Sequence, residues 1–163
     1  LGGIGFPEYS RRQTLHAQAE TNALFDTVHF IERAKTIYGY DHFVCDTSGS
    51  MVEVINADSP IDPVMTELCE HVLPVWIEGA DSHIEELVKR FAKAPKYLAN
   101  NALSEPEVDP DDFIRWGYRM LLDHRLPRYR KIADRWGVTV SADDMAMVRS
   151  TDDFTKLIAR TLA

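Results

Sequence analysis

The sequence is short of basic residues. Its 163 residues include 18 lysines and arginines against 26 aspartates and glutamates, which gives a net charge of −8. A protein that binds nucleic acid needs a basic surface to displace the counterions of the phosphate backbone. The charge balance therefore argues against nucleic-acid binding, and no basic run indicates attachment to a membrane surface.

Long apolar runs and cysteines are scarce as well. The longest apolar stretches are a few residues, too short to span a bilayer or to open the chain as a signal peptide. The two cysteines, Cys45 and Cys69, fall in a predicted strand and a predicted helix, where we expect reduced core residues. No Cys/His spacing matches a zinc site. These features predict a cytoplasmic protein.

The apolar residues that are present make up 45% of the chain, enough for one domain with a core. Three compact apolar runs predict buried strands: HFVC at 42–45, VLPVWI at 72–77 and, more weakly, KYLAN at 96–100. Helical patterns separate them, and this alternation predicts parallel strands with right-handed crossovers. The predicted fold class is α/β, a parallel sheet with flanking helices.

We expect a single domain over residues 1–163, helical at 1–40, with an α/β core at 41–102 and a helical part at 103–163. In the first part Pro7 is placed to open a helix and Asp26 to cap a second one that stops at Gly39. Apolar side chains at helical spacing predict a buried stripe on that second helix: Phe30, Ile31, Ala34 and Ile37.

Several further helix starts follow from caps and prolines. They are Asp62-Pro63, Ser82, Asp109-Pro110, Pro127, Ser141 and Thr151. Ser82 forms a capping box with Glu85, and an apolar stripe follows it at Ile84, Leu87, Val88 and Phe91. Residues 137–140, GVTV, predict a short edge strand. Trp76, Trp116 and Trp136 fall on predicted core faces, as do Phe113, Met120 and Leu121.

A small polar turn follows the first apolar run. Asp46 would stand at the carboxyl end of a central parallel strand, where ligands bind in open sheets, and Thr47, Ser48, Gly49 and Ser50 come next. Hard oxygen ligands of this kind suit magnesium, which makes Asp46 the candidate Mg²⁺ residue. A turn that merely caps the next element is the structural alternative.

This segment of the sequence resembles two known motifs. DTSGS is similar to the D-x-S-x-S metal site of integrin-type (von Willebrand A-like) adhesion domains, which would make Asp46, Ser48 and Ser50 ligands. An apolar strand that ends in D-x-x-G also resembles the magnesium-linked segment of phosphate-loop ATPases and kinases. That resemblance implies that Asp46 holds Mg²⁺ through water and that Thr47, Ser48, Gly49 and Ser50 approach the phosphates of ATP.

A downstream segment, HRLPRYRKIAD at 124–134, favours the second family. Its R-x-P-x-Y resembles the carboxyl-terminal segment of shikimate-kinase-like small-molecule kinases, and the combination resembles a group of bacterial ATPase-like proteins. The resemblance covers about residues 35–163. It implies that Arg125 contacts phosphate or base and that Asp46 and Arg125 face one cleft. Pairing of Arg125 with Asp123 or Glu105 is the structural alternative.

The phosphate-binding loop of that family, G-x-x-x-x-G-K-[ST], occurs nowhere in the sequence. Its amides and lysine cradle the phosphates. We expect either that this chain is the later part of a longer phosphate-loop protein, lacking its amino-terminal strand and loop, or that it is a degenerate relative. The expected function is an ATPase or small-molecule kinase of unknown substrate with an incomplete nucleotide site. A Mg²⁺-dependent adhesion module and a non-catalytic structural domain are the alternatives.

Overall fold

The computed structural model of the protein describes residues 5–47, 49–80, 82–83, 85–86 and 110–163. Several expectations lie outside these residues: the strand at 96–100, most of the helix behind Ser82, Asp109, and Ser48 of the polar turn. Helical backbone is present at 82–83 and 85–86, at the start of that expected helix.

Helix α1 spans Phe6–Tyr38 without interruption, with Pro7 in its first turn as predicted. It ends at Gly39, whose φ of 66° lies in the left-handed region typical of helix termini. The predicted break at Asp26 is wrong. No glycine or proline stands between Pro7 and Gly39, and a single aspartate in a helix interior costs only a few tenths of a kcal/mol.

Two short helices follow, α2 at Met51–Val54 and α3 at Pro63–Cys69. The predicted cap of α3 is confirmed, because the Asp62 carboxylate accepts hydrogen bonds from the amides of Val64 and Met65, both at 3.0 Å. Its second oxygen accepts from the amide of Asn56 at 2.9 Å. Asp62 is buried, and these three donors satisfy it and tie the loop before α3 to the helix.

The sheet has two parallel strands in the described part of the chain. Strand β1 spans Val75–Glu78 and β2 spans Val138–Ser141, with Val75 opposite Val138. Both strands were predicted, β1 as a longer run. Gly137 allows the start of β2 to approach the start of β1 closely, because a Cβ there would lie 2.2 Å from the carbonyl oxygen of Pro74. That oxygen instead accepts the amide of Val138 at 3.0 Å.

The first predicted strand is not formed. Residues 42–47 are exposed and have no regular structure, and no backbone hydrogen bond joins them to another described residue. A strand exists only with a partner strand, and β1 pairs with β2 instead. The chain is therefore rich in helices, with a small parallel sheet that helices flank. Its α/β character is confirmed only at that coarse level.

Helix α4 runs from Pro110 to Trp136, with Pro127 in its interior. The prediction that Pro127 starts a helix is wrong. Proline at this position removes the bond to the carbonyl of Asp123 and costs about 3 kcal/mol in an unsupported helix. Contacts of the residues on both sides of Pro127, described below, hold the helix together across it.

Helices α5, Ala142–Met147, and α6, Thr151–Leu162, close the chain. Ser141 caps α5 as predicted, since its hydroxyl accepts the amide of Asp144 at 3.0 Å. The cap of α6 is Ser150 and not Thr151. The hydroxyl of Ser150 accepts the amide of Asp153 at 3.2 Å, and Thr151 is the first helical residue.

The core lies between α1, α2, α3 and α4. Its buried side chains are Leu24, Met51, Val52, Ile55, Ala57, Val64, Met65, Leu68 and Ile132. Tyr129, Ile132, Ala133 and Trp136 turn inward as the helical spacing predicts.

Other core predictions are wrong. Phe30, Ile37, Trp116, Met120 and Cys45 are exposed. Cys69 is half-buried, and burial raises the pKa of its thiol. Among the described helices, none combines the length and the apolar character needed to cross a bilayer.

Candidate functional site

The polar turn at residues 46–50 is held against α4 by Tyr129. The Tyr129 hydroxyl donates a hydrogen bond to the carbonyl oxygen of Gly49, and its ring stacks on that of Trp76 in β1, with centroids 6.0 Å apart. Burial raises the pKa of Tyr129, so its hydroxyl stays a donor at neutral pH. One side chain thus connects the turn, the sheet and the long helix.

Arg125 approaches the same turn from α4. A Cβ built on Gly49 would lie 3.7 Å from Arg125 Nη1 and 3.3 Å from the Tyr129 hydroxyl. A larger residue here would be in ordinary contact with Arg125 and in tight contact with the Tyr129 hydroxyl, so both side chains lie close to the turn backbone. The two segments that the sequence singled out, 79 positions apart when counted from Asp46 to Arg125, are therefore in contact through Gly49 and Tyr129.

Arg125 itself is anchored by Glu53 of α2. Its Nε lies 2.9 Å from Glu53 Oε1, and Arg128 Nη1 lies 3.0 Å from Glu53 Oε2. His124 Nε2 is 3.8 Å from the same carboxylate. The sequence offered Asp123 and Glu105 as structural partners for Arg125, whereas the described partner is Glu53.

The electrostatics of this group favour an ionised Glu53. Partial burial alone would raise the pKa of Glu53. The hydrogen bond from Arg125 and the charges of Arg125, Arg128 and His124 outweigh that effect and hold the pKa below its ordinary value. Two arginines, Arg125 and Arg128, face this one carboxylate, so the group carries a net positive charge. A net positive group of this kind can attract an anion.

Glu53, Arg128 and Trp76 were missed as site residues. On a continuous helix His124, Arg125 and Arg128 share one face, at spacings of three and four residues. Because Pro127 was expected to start a new helix, the three basic residues were not placed on the face of one helix. Trp76 was assigned to the core alone, yet it also positions Tyr129.

Asp46 and Thr47 are exposed. With Gly49 and Tyr129 they line a cavity of about 1250 Å³, whose lining also includes residues of β1, of α1 and of the two closing helices. Arg125 does not line this cavity and meets the turn at Gly49. Ser50 points the other way, and its hydroxyl donates to Glu20 Oε1 of α1 at 2.7 Å.

No described group of three or more His, Cys, Asp or Glu side chains is placed to hold a metal ion. Magnesium usually keeps several waters and takes one or two carboxylates together with substrate phosphates. The exposed oxygens of Asp46 and Thr47 fit that partial role, and Arg125 fits a phosphate contact. The amide cradle and lysine of a phosphate loop are absent from the sequence, so this part of the ATP site does not fit.

Comparisons of the chain with protein-family models, with curated proteins and with solved structures found no significant match.

Proposed function

We propose that residues 46–50 and 125–129 form the magnesium side of a nucleotide-phosphate site, in a protein of the phosphate-loop ATPase or small-molecule kinase class. The observation that supports this is the contact of the two segments at Gly49. Two motifs that share a role in that class lie side by side, although the sequence separates them widely.

Each residue has a distinct role in this proposal. Asp46 holds hydrated Mg²⁺, and Thr47 and Gly49 face the terminal phosphate of ATP. Arg125, fixed by Glu53 at Nε, directs Nη1 toward the same turn and offers positive charge to a phosphate there. Bound Mg²⁺-ATP would supply the phosphoryl group, and these side chains would orient it and offset its charge.

Paramagnetic broadening tests the proposal, because it detects weak binding. Mn²⁺ replaces Mg²⁺ in a titration of the labelled protein, with ATP and without it. We expect Mn²⁺-ATP to broaden the amide resonances of Thr47 and Gly49 first and those near Arg125 next. Asp46→Asn should remove the effect, and Asp41→Asn, an exposed acid in the same segment, should leave it unchanged.

The other outcomes separate the alternative functions. Broadening by Mn²⁺ alone, unchanged by ATP, would favour the adhesion-type metal site. Absence of broadening with or without ATP would favour a non-catalytic structural domain, and both results would contradict the nucleotide proposal.

A further inference from the structure

Two pairs of described aromatic residues have stacked rings. Trp76 and Tyr129 stack with ring centroids 6.0 Å apart, and both line the cavity that the candidate site shares. Tyr38 and Tyr40 stack with ring centroids 5.3 Å apart and an angle of 19° between the ring planes. Of this second pair, Tyr40 lines the same cavity. The lining therefore carries a stacked aromatic ring at two separate places.

The second pair leaves much ring surface uncovered. Tyr38 is 66% exposed and Tyr40 is 59% exposed. Aromatic rings are large apolar surfaces, and the hydrophobic effect favours covering them. Tyr38 covers one face of the Tyr40 ring, and Tyr40 still presents ring surface beside the cavity. A flat apolar ligand could be stacked on that surface.

The end of α1 holds Tyr40 in place. Gly39 has a φ of 66°, and its amide donates a hydrogen bond to the carbonyl oxygen of Lys35 at 3.0 Å. The amide of Tyr40 donates to the carbonyl oxygen of Ala34 at 3.5 Å, and the Tyr38 ring supports the side chain. A ring that is already positioned loses little conformational entropy when a ligand binds to it.

The two aromatic pairs lie differently with respect to the polar turn. The Tyr129 hydroxyl donates to the carbonyl oxygen of Gly49, so the Trp76–Tyr129 pair lies beside the turn, where the proposed function places the phosphates. In a nucleotide the ribose separates the base from the phosphates, so the base needs a surface away from the turn. Tyr40 offers one in the same cavity, and the volume of about 1250 Å³ leaves room for a whole nucleotide.

We propose that Tyr40 is the base-stacking residue of this cavity, and that the planar base of a nucleoside triphosphate extends the Tyr38–Tyr40 stack. This inference rests on the proposed function, because the phosphates of the same molecule lie at Asp46 and Thr47. It names the class of phosphoryl donor, a nucleoside triphosphate and not an inorganic polyphosphate. Stacking of this kind accepts different bases, since every base has a π face.

Two triphosphate compounds separate the contribution of the base from that of the phosphates. Mg²⁺-ATP and Mg²⁺-tripolyphosphate are titrated into the labelled protein, and the amide resonances of Thr47 and Gly49 report occupancy of the turn by either compound. ATP should bind about tenfold more tightly, an effect within the range of one base–aromatic stack. ATP, unlike tripolyphosphate, should also shift the ring-proton resonances of Tyr40 through the ring current of the stacked base.

Matched variants locate the base. Tyr40→Leu removes the ring but keeps an apolar side chain. It should weaken ATP binding about tenfold and leave the dissociation constant of tripolyphosphate unchanged. Tyr40→Trp keeps a ring for stacking and should retain the preference for ATP. Phe30→Leu removes a ring that is 57% exposed on α1 and does not line the cavity, so it should change neither dissociation constant.

The outcomes separate this inference from the proposed function. Equal binding of ATP and tripolyphosphate by the natural protein would overturn the inference alone, as would a Tyr40→Leu protein that keeps its preference for ATP. A Tyr40→Leu protein that binds both compounds equally less well would show a disturbed turn and would also overturn it. Binding of neither compound by the natural protein would contradict the proposed function and this inference together.

Discussion

Arg125 and Glu53 form an ion pair between α4 and α2, with Nε and Oε1 2.9 Å apart although the two residues are 72 positions apart in sequence. The pair fixes the arginine at the polar turn, and Arg128 strengthens it from the next position on the same helical face. It contributes to the continuation of α4 through Pro127, together with the packing of Tyr129, Ile132 and Trp136 in the core.

Replacement of Glu53 by Gln should lower the free energy of unfolding by about 1 kcal/mol or less, since both side chains of the pair are partly exposed. The loss should depend on pH. The pKa of Glu53 is lowered in the folded state from its ordinary value of 4.5, so its contribution is full above that value. It disappears as the pH falls through the lower folded-state pKa. Urea unfolding of both proteins between pH 3 and pH 7 measures the difference.

Glu32→Gln provides the control, because Glu32 is highly exposed on α1. Its unfolding curve should follow that of the natural protein at each pH. A Glu53→Gln variant that is equally destabilised at pH 3 and pH 7 would contradict the ion-pair argument.

Two glycine substitutions should act in opposite directions. Gly137→Ala brings a Cβ to 2.2 Å from the carbonyl oxygen of Pro74, and relief of that clash must disturb the join of β1 and β2. We expect a loss of about 1–3 kcal/mol. Gly117→Ala in α4 meets no atom of the described residues within 4 Å and should stabilise by about 0.5–1 kcal/mol through helix propensity. Thermal unfolding of the two variants tests the pair, and a stable Gly137→Ala protein would refute the described register.

The contact of Tyr129 with the turn predicts coupling between two sites. Tyr129→Phe removes the hydrogen bond to the Gly49 carbonyl and should cost about 1 kcal/mol. Gly49→Ala places a Cβ 3.3 Å from the same hydroxyl, so its cost should be smaller when Tyr129 is already Phe. A double-mutant cycle should give a coupling of about 0.5 kcal/mol or more. Additive effects would mean that the hydroxyl and the turn do not touch.

The residues of this chain should bind Mg²⁺-ATP only weakly. Phosphate affinity in the phosphate-loop class rests on loop amides and a lysine that the sequence does not contain, and the net charge of −8 repels the triphosphate. Saturation at one hundred times the dissociation constant would stabilise the fold by about 2.7 kcal/mol and raise the melting temperature by several degrees. We expect no such shift at micromolar ATP. A clear magnesium-dependent shift would reveal a phosphate site among these residues that no known sequence motif indicates.

The sequence by itself determined the features that depend on near neighbours. Pro7 and Gly39 bound the first helix, and Asp62 and Ser141 cap theirs. Each of these rests on a backbone preference or on a hydrogen bond within four residues. The contact between the turn at 46–50 and the segment at 125–129 was expected from the family resemblance, and not from any local rule.

Tertiary structure decided the rest, because those outcomes depend on partners far away in sequence. Residues 42–45 have the composition of a buried strand but lack a described strand beside them, so they remain irregular and exposed. Pro127 is a helix-start signal locally, yet it lies inside α4, where core packing of Ile132 and the ion pairs of Arg125 and Arg128 with Glu53 hold both sides of it. The local sequence limits which conformations a segment can adopt, and the free energy of its contacts with distant residues determines which of them it adopts.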